Sequence, residues 1–252
     1  MTKQKVYLSV IIPAYNEAKR IGNTLLDIDK YLSEQDYSYE ILVVVAGATD
    51  NTEEVVENYK KLVKNLRTLV LKIKPKGHAV RKGMLDATGE WRLFMDADNS
   101  TSIDHLDKMW PRVQEGHEVI ISSREPRDAK GAKQAVSQSL LKRLLGNFGN
   151  LLIQIFGVWG IWDTQNGFKM LSAKATQDIF SRAKINGFGF DIELLALAKR
   201  LGYKIDIIPA NWINDPHSTV TFSSYLYVFV ELMQIRWNLI RNIYDIDKKT
   251  KK

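Results

Sequence analysis

Cysteine is absent from the 252 residues, so neither disulfides nor thiolate zinc sites are available, and a reducing compartment is the simple reading. Histidine is scarce, with four in all. His78 and His217 have no second His or Cys at metal-ligand spacing and read as polar surface residues. No uninterrupted apolar run reaches the roughly 18–20 residues that a helical membrane span needs. Met1-Thr2-Lys3-Gln4-Lys5 leads straight into a strand-like segment and lacks the pattern of a signal peptide. The expected location is therefore cytoplasmic, or peripheral on the cytoplasmic face of a membrane. Helix-turn-helix and RNA-binding strand patterns are also missing, which sets nucleic acid aside as a partner.

The charge is unbalanced toward the basic side, with 36 Lys and Arg against 29 Asp and Glu, a net +7. An excess of this kind suits an anionic partner, whether a phosphorylated substrate or lipid headgroups. Part of it lies in the tail Lys248-Lys249-Thr250-Lys251-Lys252, and residues 245–252 read as a disordered basic extension. Residues 1–244 fit a single domain large enough to bury a substantial core. No internal repeat is visible.

Short β-branched runs alternate with amphipathic stretches. Tyr7–Pro13, Glu40–Val45, Leu69–Ile73, Arg92–Met95 and Glu118–Ser122 read as strands, and Ile21–Ser33, Thr52–Asn65, Ala79–Thr88 and Ile103–Glu115 as helices. Asp50 or Thr49 is placed to cap the second helix. This order predicts an α/β fold, a mostly parallel sheet covered by helices on both faces. Ligands bind such sheets outside the carboxyl ends of the strands. Those ends are Pro13–Glu17, Ala46–Asp50, Asp96–Asp98 and Ser123-Arg124, and polar residues collect at all four.

Phe94-Met95-Asp96-Ala97-Asp98-Asn99-Ser100 is the most informative of them. On an extended backbone Asp96 and Asp98 point the same way, toward one cation. Hard oxygen ligands suit Mg²⁺ or Mn²⁺, ions that share their coordination sphere with substrate phosphates. An Asx-type turn after a buried strand is the competing reading of the same residues.

Beyond residue 127 the texture changes. Arg127–Gln138 is polar and reads as a mobile loop. Residues 140–162 and 223–244 read as amphipathic helices rich in aromatic and basic residues. The first is either a core helix or one lying in a membrane interface beside Trp159 and Trp162, and the second is too interrupted by Glu231, Gln234 and Arg236 to span. Two such helices favour a peripheral membrane contact.

The chain resembles the family 2 glycosyltransferases of the Rossmann-like GT-A fold from about Val6 to Ile240, and among them the polyprenyl- or dolichyl-phosphate sugar synthases, the glucosyl type above all. The resemblance rests on Val10–Glu17, Gly47–Thr52, Lys76–Met84, Asp96-Ala97-Asp98, Ser123-Arg124, Asp163–Lys169, Phe190–Leu195 and the spacing Trp212…Ser218. It implies an inverting glycosyltransferase that moves a sugar from a nucleotide diphosphate sugar, UDP-glucose favoured, to a polyprenyl phosphate at a membrane surface. By the same resemblance Asp96 and Asp98 hold the metal. Pro13, Tyr15, Glu17, Asp50, Lys76, Arg81 and Ala97 join Asp96 on the nucleotide sugar. Arg124, Lys142 and Arg143 take the acceptor phosphate, Arg being suited to bidentate phosphate contacts. Asp98 and Asp163 are the catalytic candidates, Asp163 orienting the acceptor or assisting as base. On residue type alone, Asp163 also reads as a helix N-cap before Thr164 and Gln165. Lys76, Arg81 and Lys82 read as a solvated helix face. Asp191 and Glu193, two apart on a helix, diverge, so one is expected to cap or support.

One departure stands out. Where the family usually has two aspartates after the second strand, this chain has Val45-Ala46. Neither can accept a hydrogen bond from a base or ribose, and losing such a bond to a buried donor costs about 1–3 kcal/mol, or roughly tenfold to a hundredfold in affinity. Two alternatives therefore stay open: a glycosyltransferase acting on a soluble saccharide, and a catalytically inactive nucleotide-sugar-binding homologue.

Overall fold

The computed structural model describes residues 5–134, 149–212 and 222–246. Lys142, Arg143, His217, Ser218 and the tail from 247 lie outside these. The elements are β1 (Leu8–Ala14), α1 (Ile21–Ser33), β2 (Tyr39–Ala46), α2 (Thr52–Tyr59), β3 (Leu66–Leu71), α3 (Lys76–Asp86), β4 (Trp91–Met95), α4 (Leu106–Gln114), β5 (Val119–Ser123), β6 (Lys133–Gln134), a helical segment α5 (149–156), β7 (Phe168–Ser172), α6 (Ala173–Phe180), α7 (Phe190–Arg200), β8 (Ile205–Pro209), β9 (Asn211–Trp212) and α8 (Phe222–Ile240).

Seven strands form one sheet in the order β3-β2-β1-β4-β7-β5-β8, while β6 and β9 pair separately. All contacts in the large sheet are parallel except those of β7, which runs antiparallel between β4 and β5. That reversal brings the start of β7 to the edge where β4 and β5 end. The expected α/β sheet is therefore present, with one antiparallel strand that periodicity does not predict.

Alternation along the buried strands sorts the core into two layers. Leu8, Val10 and Ile12 of β1 face α1, α2 and α4, whereas Ile11 faces the layer of α3, α6, α7 and α8. Each fully buried Leu or Ile contributes about 1.5–3 kcal/mol. Gly83 lets α3 sit close on the sheet: a Cβ there would meet Ile11 Cγ2 at 2.6 Å and Val44 Cγ2 at 2.7 Å.

Element ends depart from expectation for local reasons. α2 stops at Tyr59 and residues 60–65 turn, closing on Asn65 in the left-handed region at φ 55°. α3 begins at Lys76 directly behind Pro75, whose fixed φ starts the helix three residues early. The stretch 103–115 opens as a 3-10 turn, Ile103–His105, before α4. α5 ends at 156, not 162, where the Gly157 and Val158 N–H groups both donate to Ile153 O. Part of this segment is core and part is not: Ile153 and Val158 are buried, while Ile155 and Trp159 are exposed. Trp162 lies under the Arg127 guanidinium, 4.0 Å from its ring centre. The loop after Arg127 is tied down through Asp128, which accepts the N–H groups of Trp162 and Asp163 at 2.8 Å.

The C-terminal residues are locked in by a buried carboxylate. Glu193 on α7 is fully buried and accepts the N–H groups of Lys184 and Ile185 at 2.9 Å and the Tyr244 hydroxyl at 2.8 Å. Burial pushes its carboxyl above the usual range, against these hydrogen bonds. Glu193→Ala should cost about 3 kcal/mol, because it orphans buried donors. Tyr244→Phe should cost roughly half as much, and urea denaturation of the two variants against wild type checks the ranking.

Candidate active site

Four loops meet at the carboxyl edge of the sheet, and the β4 loop is the best fixed. The Asp96 N–H donates to Gly167 O at 3.0 Å, the Ala97 carbonyl accepts the Thr24 hydroxyl at 2.7 Å, and Asn99, at φ 56°, donates to Asp27 at 3.0 Å. Gly167 has to be glycine: a Cβ there would lie 2.0 Å from Asp96 Oδ2. Asp98 Oδ1 accepts the Ser100 N–H at 3.0 Å, which is the Asx turn that competed with the cation reading. Its other oxygen has no hydrogen-bond partner among the described residues, so the turn does not use up the carboxylate.

Lys76, the first residue of α3, places its Nζ 2.7 Å from Asp96 Oδ1. Burial works against this ammonium, yet the fields of Asp96, Asp191 and Asp98 outweigh it and hold the Lys76 pKa above the ordinary lysine value. Beneath lies a second pair with no exposure at the lysine: Lys169 Nζ donates to Asp191 Oδ1 and to Asn166 O, each at 2.5 Å. Burial raises the Asp191 carboxyl although Lys169 and Lys76 oppose the shift. As helix geometry predicts, Asp191 and Glu193 diverge, one toward the site and one toward the C-terminal residues.

Arg124, just past β5, grips Asp163 with three bonds of 2.8 Å, from its backbone N–H and Nε to Oδ2 and from Nη2 to Oδ1. Asp163 is buried, and the Arg124 charge overrides desolvation to hold its carboxyl below the usual range. No helix follows Asp163, so it is no N-cap. Its carboxylate is instead committed to orienting Arg124, whose guanidinium also packs over the Trp212 ring at 5.1 Å.

The β1 and β2 loops hold each other. The Glu17 N–H donates to Thr52 Oγ1 at 2.8 Å, while the Glu17 carboxylate binds the Arg20 guanidinium. Asp50 accepts from the N–H of Thr52 at 3.0 Å and of Ala18 at 3.2 Å; the N-cap of α2 is Asn51, and Asp50 meets the first N–H of the helix from the residue before it. Slight desolvation is outweighed by these bonds, and the Asp50 carboxyl sits below its ordinary value. Tyr15 is exposed at the end of β1, with the Lys74 ammonium 5.4 Å from its ring centre. Pro13 lies inside β1, paired with Val44. Val45 and Ala46 point their side chains into the two core layers, each 2% exposed. Beside them a cleft of about 320 Å³ is lined by Gly47, Ala48, Asp50, Glu53 and Lys72 among others.

Asp96, Asp98, Lys76, Arg124 and Asp163 thus gather at one edge. Arg81 does not join them: its guanidinium donates to Ala183 O at 2.6 Å and Asn186 Oδ1 at 3.0 Å, bracing the loop before α7. The Ala97 side chain is buried in the core, so only its backbone faces the site loop. Asp128 escapes a sequence reading because it sits in a polar stretch, and the only available signal was the family block it supports, Asp163–Lys169.

Asp96 and Asp98 are the carboxylates of the β4 loop, and no cluster of three metal-binding side chains occurs among the described residues. Such a pair fits a hard divalent cation that completes its shell with substrate phosphate oxygens. Asp163→Asn should destabilise the protein by about 3 kcal/mol at pH 7, because it leaves the Arg124 charge half-paired. The folded carboxyl titrates below its unfolded value near 3.9, so this contribution is complete above that pH and drains as pH falls below it. Urea midpoints of wild type and variant should therefore converge under acid conditions.

The family model for glycosyl transferase family 2 matches residues 9–180. A dolichyl-phosphate beta-glucosyltransferase of Trichomonas vaginalis is 33% identical over 242 residues, 92% of this chain and 71% of the relative. The human dolichyl-phosphate beta-glucosyltransferase is 30% identical over 269 residues, covering 99% of this chain and 80% of its own. Among solved structures, glucosyl-3-phosphoglycerate synthase from Mycobacterium tuberculosis in complex with UDP aligns with a TM-score of 0.67 at 17% identity, covering 92% of this chain and 80% of that one. Mannosyl-3-phosphoglycerate synthase from Rubrobacter xylanophilus aligns with a TM-score of 0.65 at 17% identity, covering 94% and 75%. These likenesses match the expected GT-A architecture, and the chain belongs to glycosyl transferase family 2.

Proposed function

We propose that the protein transfers glucose from UDP-glucose to a dolichyl or other polyprenyl phosphate, with inversion, at a membrane surface. The observation that carries this reading is similarity at about 30% identity, over nine-tenths of the chain or more, to relatives named dolichyl-phosphate beta-glucosyltransferase. Asp96 and Asp98 would hold Mg²⁺ or Mn²⁺, which when bound supplies Lewis-acid neutralisation of the leaving diphosphate. Lys76, at the start of α3, would offer a second positive charge for the same phosphates. The nucleotide would lie across Tyr15 and the cleft beside β2. There Asp50, Glu53 and backbone groups are the polar partners left for the base, since Val45 and Ala46 offer none.

A lipid monophosphate is already a nucleophilic anion, so its attack needs positioning more than a general base. Arg124 suits that task because Asp163 holds its Nε and Nη2, which leaves Nη1 for a phosphate oxygen. Asp163 then acts through Arg124 and has no free carboxylate oxygen to take a proton. Lys142 and Arg143 remain candidates for the same phosphate.

For the membrane contact, α8 presents Leu226, Tyr227, Val230, Trp237 and Ile240 outward, and Trp159 beside it is 75% exposed. Arg241 stacks on Trp237 at 4.5 Å, giving that face an aromatic and cationic rim. No helix among the described residues is long and apolar enough to cross a membrane, so this face would lie on the surface. The cysteine-free chain suits the reducing cytoplasmic side.

Purified protein with UDP-glucose, Mn²⁺ or Mg²⁺ and a polyprenyl phosphate should yield a glucose-bearing lipid. Asp98→Ala should cut turnover by about a thousandfold, the scale of several kcal/mol of charge stabilisation. Absence of lipid-linked product from any common nucleotide sugar would refute the reading and favour the inactive homologue. Sedimentation with anionic vesicles should weaken in Trp159→Ala/Trp237→Ala, and failure of the wild type to sediment would point to a soluble acceptor.

A further inference from the structure

The Lys76–Asp96 contact has a consequence for the order in which ligands bind. We infer that the Lys76 ammonium is a built-in place-holder on Asp96, held there until a diphosphate draws it away, so that divalent cation and diphosphate bind cooperatively. This rests on the reading that Asp96 and Asp98 hold the cation.

The geometry supplies the argument. Asp96 is held beside Lys76, because its N–H is bonded to Gly167 O and Gly167 closes off one side of its carboxylate. Among the described residues no second carboxylate pairs with Lys76: Asp191 is taken by Lys169 at 2.5 Å, and Asp98 reaches Lys76 only through its field. The ammonium therefore covers Asp96 Oδ1 at 2.7 Å, one oxygen of the Asp96 and Asp98 pair. A dication arriving alone must displace that contact and then face the displaced charge at close range.

A diphosphate changes this balance. Lys76 stands on the first turn of α3, and its four-carbon stem has the freedom to exchange a carboxylate oxygen for a phosphate oxygen. Once it swings, Asp96 is open to the cation. By linkage, the cation then raises diphosphate affinity by the same factor.

The test is Mn²⁺ binding followed by electron paramagnetic resonance, with and without UDP, corrected for the Mn²⁺–UDP complex in solution. Wild type should bind Mn²⁺ weakly alone and about tenfold or more tighter with UDP, a common size for site coupling. Lys76→Gln should bind Mn²⁺ alone about tenfold tighter than wild type and show a UDP-linked gain smaller by about the same factor. Lys82→Gln removes a charge from an exposed position on the same helix and should change either value less than about twofold. Lys76→Met, which keeps the aliphatic stem, replaces Lys76→Gln if thermal melts show that the latter is unfolded. Unchanged or weaker nucleotide-free Mn²⁺ binding in the Lys76 variant overturns the inference. So does a change in Lys82→Gln as large as that in Lys76→Gln. Asp98→Asn separates the two ideas: if wild type with UDP binds no Mn²⁺, or binds it regardless of Asp98, the cation reading itself fails. If that binding depends on Asp98 while Lys76→Gln matches wild type, only the place-holder fails.

Discussion

The site depends on one reversal of chain direction, the insertion of β7 antiparallel between β4 and β5. A parallel strand there would send the loop that precedes it to the far edge of the sheet, since parallel strands all start at one edge and end at the other. Running backwards, β7 begins where β4 and β5 end, so residues 163–167 arrive beside Asp96 and Arg124. Two short contacts express this: Gly167 O receives the Asp96 N–H, and Asp163 receives Arg124. The strand and the loop it delivers cannot be separated, because Lys169 within β7 reaches back to Asn166 O.

Buried charge follows from that arrangement. Lys169–Asp191 and Arg124–Asp163 both lie where desolvation is costly, and such pairs seldom add net stability over an apolar alternative. Their value lies in direction. A guanidinium gripped on two sides has one remaining orientation, and the fully buried lysine fixes the Asn166 carbonyl. Glu193 does comparable work on the other side of α7, holding the 184–185 backbone and Tyr244. α7 is thus a wall between two carboxylate networks, with Asp191 facing the site and Glu193 facing the C-terminal residues.

Much of the fold was legible in the chain because the signals were local. β1, β2, β4 and β5 are short apolar runs that nothing but a buried strand explains, and Ile21–Ser33 has the same bounds in sequence and structure. β7 was not legible: Phe168–Ser172 carries Lys169 in its middle, and a buried lysine reads as a surface residue until its carboxylate partner, 22 residues away, is known. The roles of Arg81 and Asp163 were obscured for a related reason. Residue type identifies an anion-binding guanidinium or a candidate carboxylate, but tertiary partners decide whether it is free. Arg81 turned out to serve the Ala183 and Asn186 backbone loop, and Asp163 to serve Arg124.

Those same partners connect the exposed apolar face to the site. Glu231 lies on the inner side of α8 and accepts the N–H groups of Gly187 at 3.0 Å and Gly189 at 2.7 Å. Asn186 in that loop accepts the His78 N–H at 3.1 Å, and a Cβ on Gly77 would lie 2.8 Å from Gly187 O, so the loop is seated on the first turn of α3. That turn carries Lys76. From α8 to the Asp96 carboxylate the path is therefore three short contacts in series: Glu231 to the Gly187 N–H, the 186–187 backbone to the first turn of α3, and Lys76 to Asp96. A chain of this kind transmits position even where it transmits no conformational change, because packed interiors deform little. With α8 on a membrane, the depth and tilt of the Asp96–Lys76 edge relative to the lipid surface would follow from Glu231 and the two glycines it holds. Glu231 and the two glycines would then act by position alone, through the turn that carries Lys76.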